Sequence, residues 1–144
     1  MGANLAGKKR NDRLLQVLTP FLLSRTEIQF AWLFGSYATG RNTASSDIDI
    51  AIFVNDLRLL GDTDWYLGLK SDLMALTHKE IDLILLNNAK PLMKHAANMK
   101  KIVLLARDPL FEAEYALSVI KEYNDVRYWA QLSRQRLLGG AKHG

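Results

Sequence analysis

Apolar residues along this chain fall into two spacings, one helical and one strand-like. Between residues 11 and 24, Leu14, Leu15, Val17, Leu18, Leu22 and Leu23 recur three to four apart, which predicts a helix bent or ended near Pro20. Ile28 to Phe34 is an unbroken apolar and aromatic run closed by Gly35, the composition of a buried strand. Ile48 to Val54 is apolar on both faces beyond its leading carboxylates, as in a central strand covered on both sides. Asp62 suits the N-cap of a helix from Thr63 to about Leu76 that carries Trp65, Leu67, Leu69, Leu73 and Met74. Lys79 to Leu86 reads as a third strand, Pro91 to about Met99 as a short helix, and Ile102 to Ala106 as a fourth strand. Asp108-Pro109 then places a capping residue before the residue best tolerated at the first helical position. In the long helix that follows, Leu110, Ala113, Leu117, Ile120 and Val126 predict the packing stripe, and Gly139-Gly140 predicts its end. The expected class is α/β, a small mixed sheet flanked by helices with a long C-terminal helix packed along its side. One domain is expected over residues 11–136, with flexible segments at 1–10 and 137–144.

Composition narrows the function classes. A chain of 144 residues, 49% hydrophobic and 24% charged, fits one globular domain. Its longest apolar runs are far too short to span a bilayer, so no membrane association is expected. The absence of cysteine excludes disulfides, thiolate nucleophiles and Cys-ligated metals. The first ten residues hold no apolar core of a signal peptide, and Ala6 stands where a myristoylation signal has Ser or Thr, so the expected location is cytoplasmic. Nineteen basic against fifteen acidic residues gives +4, a mild bias that suits anionic partners without demanding nucleic acid, and no direct nucleic-acid binding is expected. Trp65, Tyr66, Tyr128 and Trp129 are expected as core or interface aromatics rather than base-stacking platforms.

The chemistry concentrates in Leu33-Phe34-Gly35-Ser36-Tyr37-Ala38-Thr39-Gly40, the polar stretch Arg41 to Ser46, and Asp47-Ile48-Asp49-Ile50. This is a strand, a small-residue turn, a loop and a second strand that begins with two carboxylates. Alternation puts Asp47 and Asp49 on one face, roughly 7 Å apart along the chain. Two such anions repel unless solvent, Lys/Arg or a divalent cation offsets them, and Mg2+ is the simplest resolution because it takes carboxylate oxygens while leaving positions for phosphates. Asp82, in the strand-like run Lys79 to Leu86, is a candidate third ligand, with Glu80 of the same parity as the alternative. Gly35 permits close backbone approach, and Ser36 offers a hydroxyl and an N–H to a phosphate oxygen. Gly35 and Gly40 have the spacing of a P-loop, but Arg41-Asn42 replaces its Lys-Ser/Thr, which excludes that motif. His78, His95 and His143 have no partner at metal-ligand spacing.

Gly35-Ser36, ten intervening residues and Asp47-x-Asp49 resemble the signature of the DNA polymerase β-like nucleotidyltransferase superfamily. With Ser46-Asp47-Ile48-Asp49, Ile81-Asp82-Leu83 and Leu86-Asn87-Asn88-Ala89 before Pro91, the chain looks most like the minimal nucleotidyltransferases (MNT), the antitoxin half of HEPN/MNT toxin–antitoxin pairs. The resemblance covers about residues 26–126. It implies transfer of AMP from ATP to a tyrosine hydroxyl of a cognate HEPN ribonuclease toxin, which neutralises the toxin, and a hetero-oligomer with that partner. It further implies that Asp47, Asp49 and Asp82 are catalytic and hold two Mg2+ ions, with Asp82 helping to deprotonate the attacking hydroxyl, while Gly35 and Ser36 hold the β- and γ-phosphates. A binding-only antitoxin that occludes its toxin and an antibiotic-modifying nucleotidyltransferase are the alternatives. The latter usually adds a sizeable helical domain, for which only one long helix and a tail remain here.

Overall fold

In the computed structural model, residues 2–143 are described, with side chains over residues 11–139. The amphipathic run near the start forms α1 (Gly2–Ser24), which continues through Pro20 instead of ending there. Pro20 and Gln16 are both exposed, so the carbonyl that loses its helical donor faces water, and the break costs little. The strands form where the apolar runs lie: β1 (Ile28–Phe34), β2 (Ile48–Val54), β3 (Ile81–Leu85) and β4 (Ile102–Ala106). Between them come α2 (Ser36–Thr39), α3 (Thr63–Thr77) and α4 (Pro91–Asn98), and the chain closes with α5 (Pro109–His143). Both anticipated caps form, Asp62 accepting from Trp65 N at 3.1 Å and Asp108 accepting from Leu110 N and Phe111 N at 3.1 and 3.2 Å. Helical backbone reaches Gly2 and His143, past the boundaries expected at residue 11 and at Gly139-Gly140. The flexible ends expected at 1–10 and 137–144 fall wholly or partly outside the described side chains.

The strands form one mixed sheet in the order β3-β2-β1-β4. β1 is antiparallel to both β2 and β4, while β2 and β3 run parallel. Side chains leave the sheet on two faces, each covered. On one, Ile48, Ile50, Ile52 and Val54 of β2 pack with Leu18 and Leu22 of α1 and Leu69 and Leu73 of α3. On the other, Phe30, Trp32, Phe34 and Ala51 pack under Ala97 of α4 and Tyr115 and Ala116 of α5. Beyond the last ladder pair, Asn87 continues the pairing with its side-chain amide: its Oδ1 accepts from Val54 N at 2.9 Å and its Nδ2 donates to Val54 O at 3.0 Å. That two-bond clasp locks the register of β2 against the segment following β3.

One expectation for α5 is overturned. Leu110 and Leu117 are each 67% exposed, and Ala113, Ile120 and Val126 are exposed as well. The face that packs is Glu112, Tyr115, Ala116, Val119 and Tyr123, a stripe at the same helical spacing but turned to another side. Tyr128 and Trp129 are exposed and lie outside the core, and the aromatic cluster of this face is instead Phe30, Trp32, Phe53, Phe111 and Tyr115. Trp65 and Tyr66 are half-buried, donating to Glu27 Oε1 at 3.2 Å and to Leu83 O at 2.6 Å.

Candidate active site

Asp49 follows buried Ile48 on β2, so alternation turns its side chain to the face opposite Ile48 and Ile50, the face shared with Ala51. The parallel register sets Asp49 beside Asp82 of β3, and the antiparallel register sets it beside Phe34 of β1. The two carboxylates therefore stand side by side, and the charge of Asp82 bears directly on Asp49. Asp49 is half-buried, and burial, the charge of Asp82, the hydrogen bond that protonated Asp49 donates to Asp82, and the charge of Asp47 together push its pKa up to about 6. Asp47 lies before the strand proper, is exposed, and acts on Asp49 through its charge. The structure therefore brings together two of the three expected carboxylates; among the described residues, no group of three His, Cys, Asp or Glu side chains converges on one point. Glu80 is exposed and contributes its backbone instead, its carbonyl accepting from Ile48 N at 2.9 Å.

Gly35 separates β1 from α2 with φ +70° and ψ −152°, a backbone region that only glycine occupies without strain. A Cβ there would collide with Asp49 Oδ2 and stand 3.0 Å from Asp49 Cγ. The missing side chain is thus what lets the turn lie against the carboxylate. Ser36 opens α2, which ends after one turn at Gly40, with φ +73°. The loop from Arg41 to Ser46 is tied at several points. Thr43 N donates to Ser46 Oγ at 2.8 Å, Ser46 N donates to Thr43 O at 3.1 Å, and Lys79 Nζ donates to Ala44 O at 2.9 Å. A cleft of about 400 Å3 lined by Ser45, Ser46, Asp47, Lys79 and Glu80 opens beside this loop. Lys79 is the residue that sequence spacing does not single out: it reads only as the start of a strand, and its work is a long-range bond.

Of the histidines, His78 lines the cleft beside Asp47 and Lys79. His78 closes α3 in a left-handed conformation, and His95 stacks on Tyr123 with ring centroids 3.6 Å apart. His143 lies outside the described side chains. Arg41 is exposed, with its N–H on Ser36 O at 3.0 Å.

The family described as Polymerase beta, Nucleotidyltransferase matches over residues 16–110, a stretch that contains Gly35, Ser36, Asp47, Asp49 and Asp82. No curated protein sequence matches this chain. Several solved structures do. A toxin–antitoxin structure with AMP-PNP has a chain 24% identical, covering 81% of this chain and 93% of its own, with a TM-score of 0.67. A mutant of the toxin–antitoxin MntA-HpeT is 25% identical, covers 81% of this chain and 92% of its own, and has a TM-score of 0.65. A structure of a tri-AMPylated Shewanella oneidensis HEPN toxin in complex with an MNT antitoxin is 20% identical, covers 92% of this chain and 98% of its own, and has a TM-score of 0.64. The mixed sheet with its flanking helices is the fold of these proteins. Among the described residues, no helix is long and apolar enough to cross a membrane.

Proposed function

The chain belongs to the polymerase beta nucleotidyltransferase family, and on that premise we propose that it is an MNT antitoxin that transfers AMP from ATP to a tyrosine hydroxyl of a cognate HEPN ribonuclease toxin. The observation that carries this reading is the pairing of Asp49 with Asp82 on adjacent parallel strands, with the Gly35-Ser36 turn resting on Asp49. Further support comes from the similar structures, one with AMP-PNP and one with a tri-AMPylated HEPN toxin.

The donor set fits Mg2+. Two hard carboxylates are pressed together, one with its pKa raised by burial and like charge, and a divalent cation relieves both costs at once. Asp47, Asp49 and Asp82 would hold it. Bound there, Mg2+ supplies charge neutralisation to the triphosphate and to the departing pyrophosphate. The remaining work belongs to the chain. Gly35 and Ser36 hold the β- and γ-phosphates, and the tyrosine oxygen bonds to the α-phosphorus as the bond to pyrophosphate breaks. Asp82, the more exposed carboxylate of the pair, takes the hydroxyl proton on a carboxylate oxygen.

Intact mass of a candidate HEPN toxin, after incubation with the protein, ATP and Mg2+, tests the reading. A gain in steps of one AMP that Asp49→Asn abolishes is the expected result. A stable complex with no mass change would replace it with a binding-only antitoxin. Neither complex nor modification would redirect attention to small hydroxylated acceptors.

A further inference from the structure

We infer that Asn11 of α1 is a positioning residue that sets the nucleotide-holding turn from behind, an inference that rests on reading Gly35 and Ser36 as phosphate ligands. The turn itself creates the need. α2 is a single turn, so its carbonyls lack the usual helical donors. Ser36 O is served three times, by Gly40 N, by Arg41 N at 3.0 Å and by Thr39 Oγ1 at 3.3 Å. Arg41 N is the donor that a longer helix would have given to Tyr37 O, and it is already used. Asn11 Nδ2 supplies the replacement, reaching Tyr37 O from 26 residues away.

Three features make this bond consequential for the turn rather than for α1. Asn11 and Tyr37 are buried, 8% and 7% exposed, so losing the bond leaves Tyr37 O short of a donor. Asparagine is among the poorer helix formers, so its place on a buried helical face calls for a polar task. And the turn is rigid around Tyr37: its side chain sits in the main core, while Ala38 N and Thr39 N both donate to Gly35 O at 3.1 and 3.3 Å. A shift of the Tyr37 carbonyl therefore tilts Gly35 and Ser36 together, and Gly35 leans on Asp49.

The test uses the full chain and compares Asn11→Asp, which keeps the shape and removes the donor, with Leu22→Ala, a core change in the same helix. Asn11→Ala, a better helix former, serves if the buried Asp prevents folding. Hydrogen exchange at Ala38, Thr39 and Arg41 is expected to speed up about tenfold in the Asn11 variants and to stay unchanged in Leu22→Ala. The KM for ATP is expected to rise roughly five- to tenfold with kcat within about twofold, the scale of one unpaired buried carbonyl. Leu22→Ala should lower the melting temperature and leave KM alone. Unchanged exchange, or a KM that moves no more than in Leu22→Ala, overturns the inference. A wild-type chain that turns over no ATP, yet shows the exchange difference, fails the transferase reading and strips Asn11 of its nucleotide role while leaving it a cap of α2.

Discussion

At Asp49, burial and the charges of Asp82 and Asp47 act in the same direction, and the carboxyl rises from an ordinary 3.8 to about 6. A raised acid pKa means that the folded state holds more protons than the unfolded state between those two values. Without metal, this group's contribution to stability is therefore greatest below about 4 and is lost as pH rises through 6. In EDTA, the difference in melting temperature between wild type and Asp49→Asn is expected to be largest near pH 7.5, with the variant the more stable, and to shrink towards pH 4.5. A difference that stays flat with pH would show that Asp49 ionises freely. Transfer should run the other way, declining below about pH 6 as the proton competes with the cation. Gly35→Ala attacks the same carboxylate sterically and also strains the backbone. A loss of about 1–3 kcal/mol in denaturant unfolding is expected, with transfer reduced at least tenfold. Alternation and the Gly-Ser spacing make Gly35, Ser36, Asp47 and Asp49 legible as a group. That Gly35 packs on Asp49 itself, and that Asp47 stays out of the contact, depends on how two strands meet and is not written in either.

Helical periodicity locates α5 but not the side it buries. Leu110, Ala113, Leu117 and Ile120 are as regular as Glu112, Ala116, Val119 and Tyr123, and the second set wins although it includes a carboxylate. The reason lies across the interface. Tyr115 inserts among Phe30, Trp32 and Phe53, and Asn98 Nδ2 donates to Ala116 O at 3.0 Å, so α4 and the aromatic sheet face choose the rotation of α5. Val119→Ala is expected to cost about 1–2 kcal/mol and Leu117→Ala less than about 0.5 kcal/mol in urea unfolding. Equal costs would contradict the observed face. Asn87→Ala removes both bonds to Val54 at once and is expected to cost about 1–3 kcal/mol, leaving the Val54 groups unpaired. Transfer should fall with it, because the β2–β3 register brings Asp49 to Asp82.

For the whole molecule, the proposed cation site joins two strands that are far apart in sequence, and binding there should stabilise the fold by mass action. Millimolar Mg2+ at pH 7.5 is expected to raise the melting temperature of the wild type, and to leave Asp49→Asn unmoved. An equal rise in both would place the cation elsewhere. The sequence by itself determined the parts: four strands where apolar runs are bounded by turn residues, caps at Asp62 and Asp108, and an inventory of oxygen ligands with no thiolate. These signals are local, carried by side-chain period and by residues that favour one backbone conformation. The tertiary structure alone decided the order β3-β2-β1-β4, the placement of Asp82 directly across from Asp49, the buried side of α5 and the long reach of Lys79 and Asn11. Each of these depends on contact between distant segments, and a single strand or helix carries no record of the neighbour it will meet.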